Sequence, residues 1–315
     1  MMLKAAFALA SPSGPRARLS VLMFHRVPSK PDPMFPGEMH AERFDALCAW
    51  LAGWFNVLPL DQAAMQLKAG TLPARSACVT FDDGYADNHD VAVPILRRHR
   101  LSATFFIATG FLDGGRMWND SLIEAVRACR LSDLDLTELG LGRHPLNSFD
   151  ERRRAAEALI RQVKYQSMSQ RIEVGEQIAR QAGVRLPTNL MMNTPQVVAL
   201  RRAGMQVGAH TISHPILATL DETAVQAEVN GSKRRLEQLL GERVSLFAYP
   251  NGKPKQDYSP ANLELVRTSG FDAAVSTEWG TTRCGDDLMQ IRRFTPWDLS
   301  RQRFGLRMLG NMRRP

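Results

Sequence analysis

Short apolar runs alternate along this chain with longer stretches of helical spacing. Residues 19–24, Ser76–Phe81, 103–108, 205–209, 246–249 and 273–276 are compact apolar segments that read as buried strands. Residues 56–59 read as a short strand, and 290–294 as the last one. Between them, Ala41–Trp54 places Phe44, Leu47, Cys48 and Leu51 on one helical stripe. Residues 60–69 read as a helix with Asp61 as N-cap and Gly70 as terminator. Residues 90–99, despite Pro94, and 262–269 read as further helices, while 28–37 is a Pro-rich loop. Strand–helix alternation predicts an α/β fold, a parallel sheet with helices packed outside, either open or closed into a barrel.

One region breaks the rhythm. Residues 118–190 are mostly helical in pattern and charged, with no convincing strand, and 150–182 suits one or two amphipathic helices. This segment reads as a helical insertion, either a lid or wall of a substrate cleft or a solvated spacer. Residues 1–18 read as an N-terminal extension before a single domain over 19–315. The start carries one Lys and a short apolar run, which makes a weak leader, and no run approaches the length of a membrane span. Residence in the cytoplasm is the expectation, ahead of the periplasm.

The chain has 315 residues and a formal charge of +8, enough length for one large α/β domain or two smaller ones, and a charge that either favours anionic surfaces or forms a solvated Arg-rich face. The basic residues form no nucleic-acid module, so no nucleic acid is expected. The tail over 295–315 is Arg-rich and interleaved with Trp297, Phe304, Leu306, Met308 and Leu309. It is either a peripheral membrane element, adding membrane association, or packing for the barrel. Cys48, Cys78, Cys129 and Cys284 are scattered with no CxxC pair, so neither a disulfide framework nor a cysteine zinc site is expected.

The chemistry gathers at strand ends. Thr80-Phe81-Asp82-Asp83-Gly84-Tyr85 closes the run Ser76–Phe81 with two adjacent carboxylates. On a regular strand they would face opposite sides; a turn at Gly84 lets both reach one cleft. His210-Thr211-Ile212-Ser213-His214 follows another apolar run, and Pro215 biases His214 away from helical geometry. One Asp and two His make a metal-ligand set that leaves coordination positions open. His25 and the segment after Tyr249 also fall at strand ends, where parallel α/β folds build their sites. His40, His89, His99 and His144 have no partners at ligand spacing.

TFDDG, then HTISH, then FAYPNG resembles the polysaccharide deacetylase family, the nodulation-deacetylase homology domain of carbohydrate esterases. The likeness runs over 19–294, interrupted by the insertion. It implies a distorted (β/α) barrel of seven or eight strands that removes acetyl groups from glycans with a divalent metal, most often zinc. By the same resemblance Asp82 is the catalytic base, Asp83, His210 and His214 hold the metal, and the N–H of Asn251, after Pro250, supports the oxyanion. Tyr249 and Pro250 then line the substrate site. Trp279 either joins them, by stacking on a sugar, or is a core residue. The implied substrate is an N-acetylated amino sugar in polymeric or lipid-linked form.

Two family features are displaced. The arginine of the third motif is replaced by Ala248, and the last strand lacks the family's acid histidine. A subgroup similar to poly-N-acetylglucosamine deacetylases permutes the motif order and uses a histidine on the first strand, which makes His25 the expected acid, its alternative being a structural or substrate-binding histidine. Arg292 on the last strand is the expected substitute for the arginine, with Arg26 as second candidate, and each is equally read as a plain ion-pairing residue. The missing arginine also motivates a second reading, a glycan-binding or assembly protein with a degenerate site. An amidase acting on a non-sugar amide would use the same metal site.

Overall fold

The computed structural model describes residues 2–314. Seven strands form its centre: β1 Arg18–Phe24, β2 Ser76–Phe81, β3 Thr104–Ile107, β4 Gln206–Ala209, β5 Leu246–Ala248, β6 Ala273–Trp279 and β7 Ile291–Phe294. Each is parallel to its neighbours, in the order β1-β7-β6-β5-β4-β3-β2. β1 pairs with β7 through Val21 and Arg293, and with β2 through Val21 and Cys78, so the sheet closes. The expected α/β barrel is the fold. Asn56–Val57 adds a short parallel edge on β2, and Thr282–Arg283 pairs antiparallel with the start of β1.

Strand alternation sorts the side chains into two shells. Leu19, Val21, Cys78, Phe106, Leu246, Ala248, Ala273, Val275 and Ile291 form one buried cluster that fills the barrel. Leu60, Ala63 and Leu67 of helix Leu60–Lys68 join it and stop the end where the strands begin. That helix starts at Leu60 after Pro59, not at an Asp61 cap, because the Leu60 N–H donates to Gln206 Oε1 at 2.7 Å. The opposite parity, including Leu22, Phe24, Val79, Phe81, Phe105, Val207 and Phe247, packs outward under the helices. With one end plugged by apolar side chains, chemistry is confined to the mouth where the strands finish.

By internal contacts the chain forms two compact units. The first holds the barrel and takes everything up to Lys30, Met39–Leu112 and the chain from Met192 onward. The second combines Pro31–Glu38 with Asp113–Met191. Its core packs Met34, Leu122, Val126, Leu159, Val163 and Ile178. The charged stretch is two helices, Phe149–Val163 and Met168–Gln181, each begun by a capping box, Ser148 with Glu151 and Ser167 with Gln170. The insertion also contains an antiparallel hairpin, Asp133–Leu136 with Gly142–Pro145, where the sequence suggested no strand. The first arm, Asp133–Leu136, alternates polar and apolar, but only over four residues, and the second, Gly142–Pro145, has no apolar alternation to pair with it. Within this unit, Asp32 from the Pro-rich loop receives Arg127 at 2.7 Å.

Both chain ends pack on the first unit. Helix Met2–Ala10 buries Phe7 against Trp54 and Phe55, with ring centroids 5.7 and 4.6 Å away. Helix Arg301–Arg313 buries Phe304, Met308 and Met312. Of the two readings of the tail, barrel packing therefore holds for one face of this helix.

Candidate active site

The barrel mouth collects its ionisable groups from separate strand ends. β2 runs into Asp82 and Asp83, β4 into His210, β1 into His25, and β5 into Tyr249 and Pro250. Four non-glycine residues there have left-handed backbone: Asp83, Thr211, His214 and Asn251, with φ between 55° and 75°. Each such residue costs about 1–3 kcal/mol and persists only where its surroundings over-determine it. At Asp83 the reversal, continued by Gly84 at φ 92°, undoes strand alternation. Both carboxylates thereby come under the charge of His210.

Asp83, His210 and His214 come together, with one ligand atom from each lying within 4.8 Å of the others. Asp83 Oδ1 is 3.4 Å from His210 Nε2 and 3.5 Å from His214 Nε2. Tetrahedral ligands at about 2.0–2.1 Å from a common ion would sit about 3.4 Å apart, so the spacing fits. Two further observations fit a cation. Asp83 Oδ1 is buried and lacks a hydrogen-bond partner, which is costly for a carboxylate. His210 Nδ1 donates to the Ala248 carbonyl at 2.8 Å, which leaves Nε2 with its lone pair toward Asp83. Ala248, at the motif position expected to hold arginine, thus orients a ligand through its backbone.

Electrostatics agree. Burial would raise the Asp83 carboxyl, but contact with His210 and the charges of His214 and His25 outweigh it and hold the group well below the usual range. Burial would lower His210, yet the contact with Asp83 and the charge of Asp82 leave it raised. His214 is pushed down to about 4 by burial, with the neighbouring imidazoles acting in the same direction.

Asp82 is buried and receives a two-pronged grip. Arg293 Nη1 and Nη2 donate to its two carboxylate oxygens, each at 2.7 Å. Arg293 is itself buried, and its Nε donates to the Ser276 carbonyl at 2.8 Å. Burial would raise Asp82, but the guanidinium beside it and the nearby imidazoles bring it below its ordinary value. The arginine expected at 292 is therefore at 293. Arg292 faces away from the barrel interior and meets Glu278 and Asp286 at 3.5 and 3.4 Å. On β7 Arg293 shares the inward parity of Ile291 and Arg292 takes the other, while the register irregularity beside them falls on β6, where Val275–Trp279 spans the two steps from Ile291 to Arg293. Arg26, the second candidate, pairs instead with Asp87 at 2.9 Å.

The remaining predicted residues divide. His25 is exposed one residue beyond β1, and its charge is among those acting on Asp82, Asp83 and His214. Asn251 is exposed, with its carbonyl accepting from Thr277 Oγ1 at 2.7 Å. Pro250 is buried beside it. Tyr249 does not line the mouth. It has the outward parity of Phe247 and stacks on Tyr258 at 3.8 Å beneath the helices. Trp279 is likewise occupied by its own chain. Its indole packs on Phe294 and Trp297, and Arg307 and Arg314 lie 5.6 and 5.2 Å from its ring centroid. A sugar would have to displace those contacts, so the core alternative describes Trp279. His89, His99 and His144 are engaged by Asp90, Asp45 and the Leu141 carbonyl.

Several residues that shape the mouth carry no motif. Glu228, on helix Glu222–Leu240, accepts the N–H groups of Ile212 and Ser213 at 2.8 and 2.9 Å and the Ser213 hydroxyl at 2.6 Å. It holds the loop between the two histidines. Asp87 and Asn88 brace the end of β1. Only Arg293 left a signal, as one of two adjacent arginines on an apolar strand.

The comparisons with known proteins agree with this geometry. YxkH of Bacillus subtilis, assigned provisionally to the polysaccharide deacetylases, is 19% identical over 88% of this chain and 71% of its own length. The poly-beta-1,6-N-acetyl-D-glucosamine N-deacetylase of Staphylococcus aureus is 25% identical over 53% of this chain, and the match spans 58% of that protein. Among solved structures, the Streptococcus pyogenes deacetylase PplD in complex with acetate is 18% identical, with a TM-score of 0.63 over 95% of this chain and 99% of that one. IcaB from Ammonifex degensii is also 18% identical, with a TM-score of 0.61 over 96% and 99%. At such identities the solved structures speak for the fold. The polysaccharide deacetylase profile matches residues 69–134 and 173–274, more than half of the chain and the stretch that holds Asp82, Asp83, His210 and His214. This chain belongs to the polysaccharide deacetylase family.

Proposed function

We propose that this chain is a metal-dependent hydrolase that removes N-acetyl groups from amino sugars of a polysaccharide or lipid-linked glycan. The observation that carries the reading is the convergence of Asp83, His210 and His214 with Asp82 held alongside by Arg293. Asp83, His210 and His214 would hold a divalent ion. Their oxygen and nitrogen donors suit zinc, which when bound supplies Lewis acidity toward the amide carbonyl and an acidified water.

The protein's own groups do the rest. Asp82 stays ionised beside Arg293, and each of its oxygens keeps a lone pair outside the guanidinium fork. It takes the proton of the attacking water. The Asn251 N–H, presented by a left-handed turn, donates to the oxygen that gains charge at the former carbonyl. Donors of this kind are worth about 3–4 kcal/mol elsewhere. His25 gives a proton to the departing nitrogen as the C–N bond breaks, so the products are acetate and a free amine. The Staphylococcus aureus relative is named for N-deacetylation of poly-N-acetylglucosamine, which supports a β-linked N-acetylglucosamine polymer as substrate. The degenerate-site alternative rested on a missing arginine, and Arg293 fills that role from another strand.

The test is acetate release from N-acetylglucosamine oligomers. Wild-type protein stripped by a chelator should lose turnover and regain it with zinc, while Asp82→Asn stays inactive with zinc bound. Absence of turnover by metal-loaded wild type on every acetylated sugar tried would defeat the reading.

A further inference from the structure

His25 is exposed and lies just past the end of its strand, so packing alone does not fix it. Hydrogen bonds hold the backbone of its segment. Asn88 Nδ2 donates to the His25 carbonyl at 2.8 Å. Asp87 Oδ1 accepts from the Val27 N–H at 3.1 Å and from Asn88 Nδ2 at 3.1 Å. Asp87 Oδ2 accepts from Arg26 Nε at 2.9 Å, and the Arg26 guanidinium lies over the Tyr85 ring, 4.9 Å from its centroid. Three consecutive residues, His25, Arg26 and Val27, are thus bound by two consecutive side chains.

We infer that Asp87 and Asn88 are positioning residues, a clamp that ties the His25 segment to the turn carrying Asp82 and Asp83. The inference rests on the deacetylase reading for what His25 does, but the clamp itself is geometric. Asn88 is fully buried, and a buried carboxamide that spends a donor on one carbonyl fixes that carbonyl firmly. The Asn88 N–H donates to the Tyr85 carbonyl at 3.0 Å, so the clamp is continuous with the Asp82–Tyr85 turn. From Asn88 to Ala92 the backbone then forms a π-helical turn before helix Val93–Arg98, a widened turn of the kind often kept at functional sites. Base and acid follow different strands, and this contact ties the two strand ends together. The pull of the His25 charge on both carboxylates is consistent with that arrangement.

A bolt that only stabilised the end of β1 would predict something different from a clamp that aims an acid. Asp87→Ala and Asn88→Ala should each lower kcat by about tenfold or more, with KM and bound metal retained, as a general acid is worth about 100–10,000-fold. Asp87→Asn keeps an oxygen for the Val27 N–H and should recover part of the loss. In a His25→Ala background neither alanine change should cost anything further. The imidazole signals of His25, followed by NMR in the zinc-loaded protein, should shift or broaden in both alanine variants and less in Asp87→Asn. Equal losses with and without His25, or an unmoved His25 signal, would overturn the clamp. An inactive wild type would count against the deacetylase reading, and the His25 signal would still decide the clamp.

Discussion

A carboxylate that must remain ionised while buried needs a charge partner of fixed shape, and at Asp82 that partner is Arg293. Removing one member of a buried pair leaves the other uncompensated, at a cost of about 3–5 kcal/mol. Arg293→Met should therefore unfold much more easily and lose turnover, whereas Arg292→Met, whose partners are half-exposed, should change stability by only about 0.5 kcal/mol. Thermal unfolding of the two variants with activity assays checks this, and equal effects would refute the assignment. Arg293→Lys should restore charge without the fork and recover only part of the activity. Protons should compete with metal at His210. An imidazole binds metal in its neutral form, and here the metal-free group is raised by Asp83 and Asp82. Competition then begins at a higher pH than for an ordinary histidine, and zinc affinity should fall as pH drops through that raised value. Zinc titrations in mildly alkaline and acidic buffers give the slope; a flat response would exclude His210 as a ligand.

The loop 210–214 owes its shape to a neighbouring element as well as to its own Thr211. Glu228 satisfies two of its N–H groups, and the Thr211 hydroxyl accepts from the His214 N–H at 3.1 Å. Gly110 lets the loop after β3 approach, its N–H donating to the Ile212 carbonyl at 2.8 Å, and a Cβ there would stand 2.7 Å from that oxygen. Glu228→Ala should weaken metal binding about 10–100-fold, the usual cost of losing support behind a ligand, with the helix content unchanged. Competition against a chelator measures it, and unaltered affinity would show that the loop holds itself. These contacts explain what could be read in advance and what could not. Barrel strands and the four polar groups at their ends were legible because apolar runs stop at them. Glu228 and Asn88 were not, because a single polar residue on a helix looks the same whether it braces a loop or meets solvent. The pattern over 90–99 predicts one helix despite Pro94; its first part is a π-helical turn and Pro94 sits in the first turn of a short helix, where a missing N–H is harmless. Tyr249 differs from its expected place by one step of strand parity, which turns it outward with Phe247.

At the scale of the whole molecule, the charge of +8 has a local expression in the C-terminal segment. Its inner face is committed to the core through Phe304, Met308 and Met312. On the outside, Leu299 and Leu306 are 76% and 64% exposed, and Trp297 is 50% exposed. Arg301, Arg303, Arg313 and Arg314 are exposed around them, while the one acid of the segment, Asp298, is paired with Arg307 at 2.8 Å. Among the described residues no helix is long and apolar enough to cross a membrane. We propose that this face rests on an anionic lipid surface, with leucines and tryptophan at the headgroup level and arginines drawn to phosphates. Each cation near such a surface is worth about 1 kcal/mol, so replacing Arg303 and Arg313 by Gln should weaken binding about thirtyfold. Sedimentation with phosphatidylglycerol vesicles, against phosphatidylcholine vesicles, measures the partition. Leu299→Ser with Leu306→Ser should weaken it at high salt, where charge is screened, while turnover of a soluble oligomer stays unchanged because both leucines are exposed surface residues. Equal partition onto neutral vesicles, or none onto anionic ones, would return the tail to a purely structural role.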